Sequence, residues 1–191
     1  MGAQDSEDGF GEVFDRYAPA ILRYAQRRLD SREAAQDVVS DTFTAAWRHW
    51  GRRPAPEALL PWLYAIAGNA VRDQWRSAQR QRRLTGRLSA LRPAGPSADP
   101  GEGVVLGRSI GQALAALPEA DREVLRLVAW EGQTDARALG LALGLRPGSA
   151  RSRVLRARRR LRALLDEADT PGYGPPAPVR AASPHGHATE A

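Results

Sequence analysis

Three groups of residues in this 191-residue chain have types and spacings that point to chemistry, and in each case the chemistry is binding. The first is a run of arginines within GSARSRVLRARRRLR: seven of the twelve residues from Arg151 to Arg162 are arginine. Val154, Ala157, Leu161, Leu164 and Leu165 recur at three-and-four spacing and so share one helical face, while Ser152, Arg156 and Arg159 point the opposite way. A helix with one dry face and one arginine face can be held by its own domain while it lies against phosphate. The plain alternative is a solvated charged helix. The second group is acidic. Glu33, Asp37 and Asp41 sit at successive four-residue steps, which aligns them on one helical face at a cost of a few tenths of a kcal/mol per like-charge pair. They read either as a solvated face neutralised in part by arginines such as Arg32, or as a docking strip for a basic partner. In the third group, Trp62, Asn69, Arg72 and Arg76 gather on one side of a helix. Arginines that hold phosphates beside a ring that stacks on an exposed base suit single-stranded nucleic acid. Core packing of Trp62 and Trp75 is the alternative.

Catalytic chemistry finds no support. His49, His185 and His187 are the only histidines, and no phosphate loop or acid–base pair accompanies them. His185 and His187 would bind a metal only incidentally, so no cofactor, no metal and no enzymatic activity are expected. With no cysteine, disulfides and thiolate zinc sites are excluded.

Helices must position these groups, since alternating strand patterns are missing. One helix is expected from about Glu12 to Leu29, offering Phe14, Tyr17, Ile21, Leu22 and Leu29 to a core. A second follows an N-cap at Ser31 and buries Val39, Phe43, Ala46 and Trp50. A third begins at Pro61, a good first helical residue, with Leu63, Ile66, Ala67 and Ala70 on its dry face. Between these last two lies GRRPAPEALL, a short basic loop with two prolines. Residues 78–108 turn basic and then Pro-, Gly- and Ser-rich, which suggests a flexible linker. Beyond it, a short helix breaks at Leu117-Pro118. The next helix buries Val124, Leu125, Leu127 and Val128, with Glu119 and Asp121 at its favourable start. Thr134 or Asp135 can cap a helix carrying Ala138, Leu139, Ala142 and Leu143. Gly144 ends that helix, and the arginine helix begins near Ser149. Helix, short glycine-containing turn and basic second helix fit the helix-turn-helix plan, which places the second helix in the major groove. Residues 166–191 cannot bury enough surface to fold alone.

All 28 basic residues are arginine, against 22 acidic ones, and the pI is near 10.8. Arginine favours bidentate contacts to phosphate and guanine. The N-terminus MGAQDSEDGF has no signal-peptide character. No apolar run approaches the ~20 residues of a membrane span, so a soluble, cytoplasmic protein without membrane insertion is expected.

These segments, in this order, resemble the extracytoplasmic-function (ECF) group of bacterial sigma factors in the sigma-70 family, which keep only regions 2 and 4. DVVSDTFTAAWRHW is similar to region 2.2, PWLYAIAGNAVRDQWRS to regions 2.3–2.4, and ALAALPEADREVLRL with PGSARSRVLRARRRLR to region 4. The resemblance implies an all-α chain of two small helical domains: region 2 over residues 10–77, a linker over 78–108, a region 4 helix-turn-helix over 109–165, and a tail over 166–191. It implies a factor that binds core RNA polymerase and directs transcription initiation. Asp37 and Asp41 match the positions that dock on a coiled coil of the largest polymerase subunit. Trp62, Asn69, Arg72 and Arg76 match the surface that captures single-stranded minus-ten DNA, and residues 51–60 match the base-reading loop. Arg151, Ser152, Leu155 and Arg156 match the contacts to duplex minus-thirty-five DNA, leaving Arg158 and Arg159 to phosphate or solvent. An anti-sigma protein is a common partner in the family. The chain departs from the pattern in having one extra residue near Thr134, Leu139-Gly140 in place of Ile-Ala, and Ala150 in place of Val. By helix propensity Gly140 weakens its helix by roughly 1 kcal/mol relative to alanine. A stand-alone helix-turn-helix regulator is the rival reading. It accounts for residues 109–165 and leaves the acidic strip and the Trp62 surface without a role.

Overall fold

The structure is a computed structural model that describes the backbone of residues 4–85 and 104–169 and the side chains of residues 9–82 and 110–167. Most of the expected linker and tail, with His185 and His187, lies outside the described residues.

All regular structure among the described residues is helical. Helix α1 (Gln4–Gln26) starts earlier than its apolar periodicity implied and carries Pro19 in its interior. It gives Ile21, Tyr24 and Ala25 to the core, whereas Phe14, expected there, is 41 % exposed and meets Phe43 edge to face. Ser31 caps α2 (Arg32–Arg48) as expected, its hydroxyl oxygen accepting from the Ala34 N–H at 3.2 Å. The buried stripe of α2 is Ala35, Val38, Thr42 and Ala46 with Phe43; Val39 packs only at its edge. Thr42 is tolerated in that stripe because its hydroxyl donates to the Val38 carbonyl at 2.6 Å. Trp50 is buried, and Phe10 meets it, Phe43 and Trp47 edge to face. Two short 3₁₀ turns, Trp50–Arg52 and Pro56–Ala58, carry the chain to α3 (Leu59–Thr85). Pro61 thus falls within the first turn, where a missing N–H costs no hydrogen bond.

The C-terminal half comprises α4 (Val104–Ala116), α5 (Glu119–Ala129), α6 (Ala136–Leu143) and α7 (Pro147–Asp169). At the Leu117-Pro118 break, the Arg122 guanidinium donates to the carbonyls of Ala115 and Leu117, both at 2.9 Å, and closes the end of α4. Asp121 is buried and ion-paired with Arg160 of α7. Asp135, not Thr134, caps α6: its carboxylate accepts from the N–H groups of Arg137 and Ala138 at 2.8 and 2.9 Å. The bonds to those N–H groups, Ala138 first, hold its carboxyl below the usual range. Gly144 ends α6 at a φ of 65°, a left-handed cap.

Gly140 corrects an expectation. A Cβ there would lie 2.7 Å from the Leu145 carbonyl oxygen, while the Leu145 N–H donates to the Gly140 carbonyl at 2.7 Å. The turn folds back so closely on α6 that only glycine fits; close approach, not helix propensity, decides this position. Thr134 lies in the loop before α6. There Gly132 takes a φ of 65° and the Gln133 N–H donates to the Leu127 carbonyl at 3.0 Å.

One contiguous apolar cluster runs from Ile21, Val38 and Leu63 through Leu127 and Leu139 to Ala157. The two helical groups are not held apart: α6 packs on α3. At this junction the Tyr24 hydroxyl donates to Glu123 at 2.8 Å, and the same hydroxyl oxygen would sit 3.2 Å from a Cβ on Gly68.

Candidate nucleic-acid and polymerase interfaces

Helix α7 is anchored from below. Ala150 and Ala157 are fully buried, and Val154, Leu161 and Leu164 pack against the cluster at its margin. Its outer face opens on solvent. Arg151, Ser152 and Arg156 are exposed, and Leu155 is 57 % exposed. Together they form the N-terminal half of the second helix of the hairpin α6–α7, the part that reaches base edges in a helix-turn-helix. Arg151, Val154 and Leu155 also edge an apolar groove of about 300 Å³ whose floor is Val128, Ala136 and Leu139. Arg160 is taken out of the basic face by its pairing with Asp121.

On α3, Asn69, Arg72 and Arg76 are exposed and close together. The Arg72 guanidinium donates to the Asn69 side-chain oxygen, and Arg76 donates to Asp73 at 2.5 Å. Exposed pairs of this kind are worth at most about 1 kcal/mol, so both arginines can exchange them for phosphate. Trp62 lies two helical turns before Asn69 on the same side, half-buried against the core. It therefore keeps part of its ring available. Trp75 has a structural role, because its indole N–H donates to the Arg28 carbonyl at 3.1 Å and its ring packs on the cluster. Arg72, Arg76 and Arg82 also wall a cleft of about 570 Å³ that faces Glu119 and Arg122 of α5. In the preceding loop, Arg53 stacks 4.6 Å from the centre of the Trp50 ring.

The acidic group is carried by α2. Asp37 and Asp41 are exposed, and neither joins an ion pair with another described residue.

No local pattern in the chain points to the polar cluster between the halves. Arg28, just beyond α1, has a fully buried side chain. Its Nε and Nη2 donate to the two Glu123 oxygens at 2.9 and 3.1 Å, and its Nη1 donates to Glu131 and to the Tyr24 carbonyl at 3.1 and 2.8 Å. Burial opposes the Arg28 charge, but Tyr24, Glu123 and Glu131 together raise its pKa above the usual value. Burial, then the Glu123 charge, pushes the Tyr24 hydroxyl well up. Tyr64 is pushed up to about 12 by burial and then by Glu131. The partners lie about a hundred positions apart, so no local pattern could reveal them.

Comparison with known proteins gives these surfaces a family. The profile described as Sigma-70 region 2 matches residues 13–81. The chain is 32% identical to the RNA polymerase sigma factor CarQ of Myxococcus xanthus, over 85% of this chain and 92% of that one. It is 31% identical to the ECF RNA polymerase sigma factor SigL of Mycobacterium tuberculosis, over 81% and 88%. Its fold is similar to that of the sigma factor RpoE solved in complex with the anti-sigma factor NepR from Bartonella quintana, with a TM-score of 0.58 and 26% identity over 83% of this chain and 97% of that one. Two helical groups, a helix-turn-helix and similarity along nearly the whole length agree: the chain belongs to the ECF group of the sigma-70 family, the sigma factors that bind core RNA polymerase and direct promoter-specific initiation of transcription.

Proposed function

We propose that three separate surfaces divide the work. Asp37 and Asp41 dock region 2 on the basic coiled coil of the largest polymerase subunit. Trp62, Asn69, Arg72 and Arg76 capture the unwound minus-ten strand. Arg151, Ser152, Leu155 and Arg156 read the minus-thirty-five element as duplex. On this reading region 2 spans residues 10–77, region 4 spans 109–165, 78–108 join them, and 166–191 form a tail. The observation that carries it is α7, where the inner face is buried and the four proposed contacts all point outward.

The energetics fit a shared task. Strand opening costs about 1.4 kcal/mol per base-pair step in lost stacking, and capture of each unstacked base returns about 1–3 kcal/mol. Two modest readers act together only when their spacing matches both sites, and the polymerase supplies that spacing. RNA synthesis is the polymerase's chemistry, so this chain works by binding, in the cytoplasm. Among the described residues no helix is long and apolar enough to cross a membrane. An anti-sigma protein, as in the RpoE complex, is a further proposed partner.

Run-off transcription with purified core polymerase tests the docking surface. Asp37→Arg is expected to reduce holoenzyme assembly at least tenfold while leaving helix content and melting temperature intact. Undiminished assembly would refute the docking role. The stand-alone regulator is disfavoured because the relatives are RNA polymerase sigma factors along nearly their whole length.

A further inference from the structure

We propose that the cleft between α3 and α5 binds a nucleoside polyphosphate, with its phosphates on arginines of both helices and its nucleoside against Trp75 and Glu119. This site goes beyond promoter binding and stands whether or not α3 also captures a DNA strand.

The cleft has a volume of about 570 Å³ and is lined by Arg72, Trp75, Arg76 and Arg82 on α3 and by Glu119 and Arg122 on α5. That volume falls within the range of small-ligand sites. Apolar packing sets its walls: Val71 of α3 lies in the same buried cluster as Val124 and Leu125 of α5. Two of the lining groups are also fixed in place. The Trp75 indole N–H donates to the Arg28 carbonyl at 3.1 Å. The Arg122 Nη2 donates to the Ala115 and Leu117 carbonyls, both at 2.9 Å. Groups held before a ligand arrives reduce the ordering cost of binding it.

The electrostatics favour an anion. Four guanidiniums line a space that holds one carboxylate. Arg72 donates to the neutral Asn69 side chain, and neither it nor Arg122 joins an ion pair among the described residues. The Arg122 Nε is buried and lacks a hydrogen-bond partner there, and a buried cation without full compensation gains from an anion beside it. The Arg76–Asp73 pair is exposed on both sides and is weak enough to exchange. Guanidiniums offer forked donors that match phosphate oxygens. Arg72 and Arg76 stand one helical turn apart, about 5.4 Å along the axis, and Arg122 comes from the opposite wall. The positive charge is therefore spread along a phosphate chain rather than gathered on a single phosphate.

Glu119 and Trp75 narrow the class further. The Glu119 carboxylate is exposed at the start of α5. It repels a bare oligophosphate but accepts hydrogen bonds from hydroxyl and amino groups, which a ribose and a base edge supply. Trp75, half-buried, adds apolar surface for a base. A single strand also carries phosphates and bases, but a strand lying along α3 needs no second wall. A small ligand does, because its site must bury most of its surface. Arg122, on that second wall, therefore distinguishes the two.

Calorimetric titration of the full-length protein with ATP, GTP, inorganic tripolyphosphate and adenosine tests the site. Saturable one-to-one binding of ATP or GTP is expected, at least fivefold tighter than tripolyphosphate, with adenosine weaker than either. Arg122→Gln should weaken nucleotide binding at least tenfold, whereas Arg158→Gln, on exposed α7 surface, should change it less than twofold. Because Arg122 also closes the end of α4, Arg72→Gln with Arg76→Gln must weaken binding alike if Arg122→Gln does not fold. Glu119→Gln should tighten tripolyphosphate and leave the nucleotides no tighter. No saturable nucleotide binding, or an equal loss in Arg158→Gln, would overturn the site. Tripolyphosphate binding as tightly as ATP and GTP would overturn the nucleoside assignment. A single-stranded oligonucleotide whose binding falls tenfold in Arg122→Gln would make the cleft a strand groove and overturn the small-ligand assignment.

Discussion

Gly140 shows how one residue answers to two forces of opposite sign. Helix propensity favours alanine there by about 1 kcal/mol. The Leu145 carbonyl, 2.7 Å from where the Cβ would sit, opposes it, and overpacking against backbone costs about 1–3 kcal/mol. Gly140→Ala is therefore expected to destabilise the protein, by up to about 2 kcal/mol, and a denaturant titration reads the sign directly. Arg156, by contrast, is exposed and should carry function with little effect on stability. Arg156→Ala is expected to cost about 1–3 kcal/mol of minus-thirty-five discrimination, measured as promoter affinity of the holoenzyme on matched and mutated elements. Its exposure followed from helical spacing alone. The tightness at Gly140 did not, because it depends on a carbonyl five residues away brought back by a turn.

At the scale of elements, Asp121 joins α5 to α7 through Arg160. Near the start of α5, Asp121 reads from sequence as a helix-dipole residue, and Arg160 as one more arginine in a basic run. The structure buries the carboxylate and spends one arginine on it. Asp121→Ala should lower stability by about 1–3 kcal/mol, the loss expected for a hydrogen bond to a charged group, and thermal melting tests it. Arg158→Ala on the same helix should leave the melting temperature nearly unchanged. The helices themselves were legible: caps at Ser31 and Asp135, the break at Leu117-Pro118 and the stop at Gly144 are local signals with local causes. The pairing of one arginine among seven with one acid is not local, and periodicity cannot single it out.

For the whole molecule, the junction between the halves governs behaviour in alkali. Tyr24 and Tyr64 both ionise at higher pH in the folded protein than in the unfolded chain, where tyrosine titrates near 10. Their contribution is complete below pH 10. Above it the unfolded chain releases protons that the folded one keeps, so stability must fall as pH rises from 10 through about 12 and beyond. Tyr24→Phe should make that decline shallower. At neutral pH it should loosen the junction, since the phenol no longer donates to Glu123. Melting curves from pH 8 to 11 on the two proteins measure both effects; equal slopes would remove Tyr24 from the explanation.

The amino-acid order alone determined the helical character, the position of the turns and caps, and the placement of the acidic strip and the two basic faces. Each depends on spacing within about two helical turns, which the chain carries in itself. Only the tertiary structure decided which of these helices share a core, why glycine is obligatory at position 140, which arginine is diverted to Asp121, and that Arg28 joins the first half to the second. Those outcomes come from groups distant in sequence competing for the same small, dry volume, where burial makes an unpaired charge costly and a misplaced methyl group intolerable.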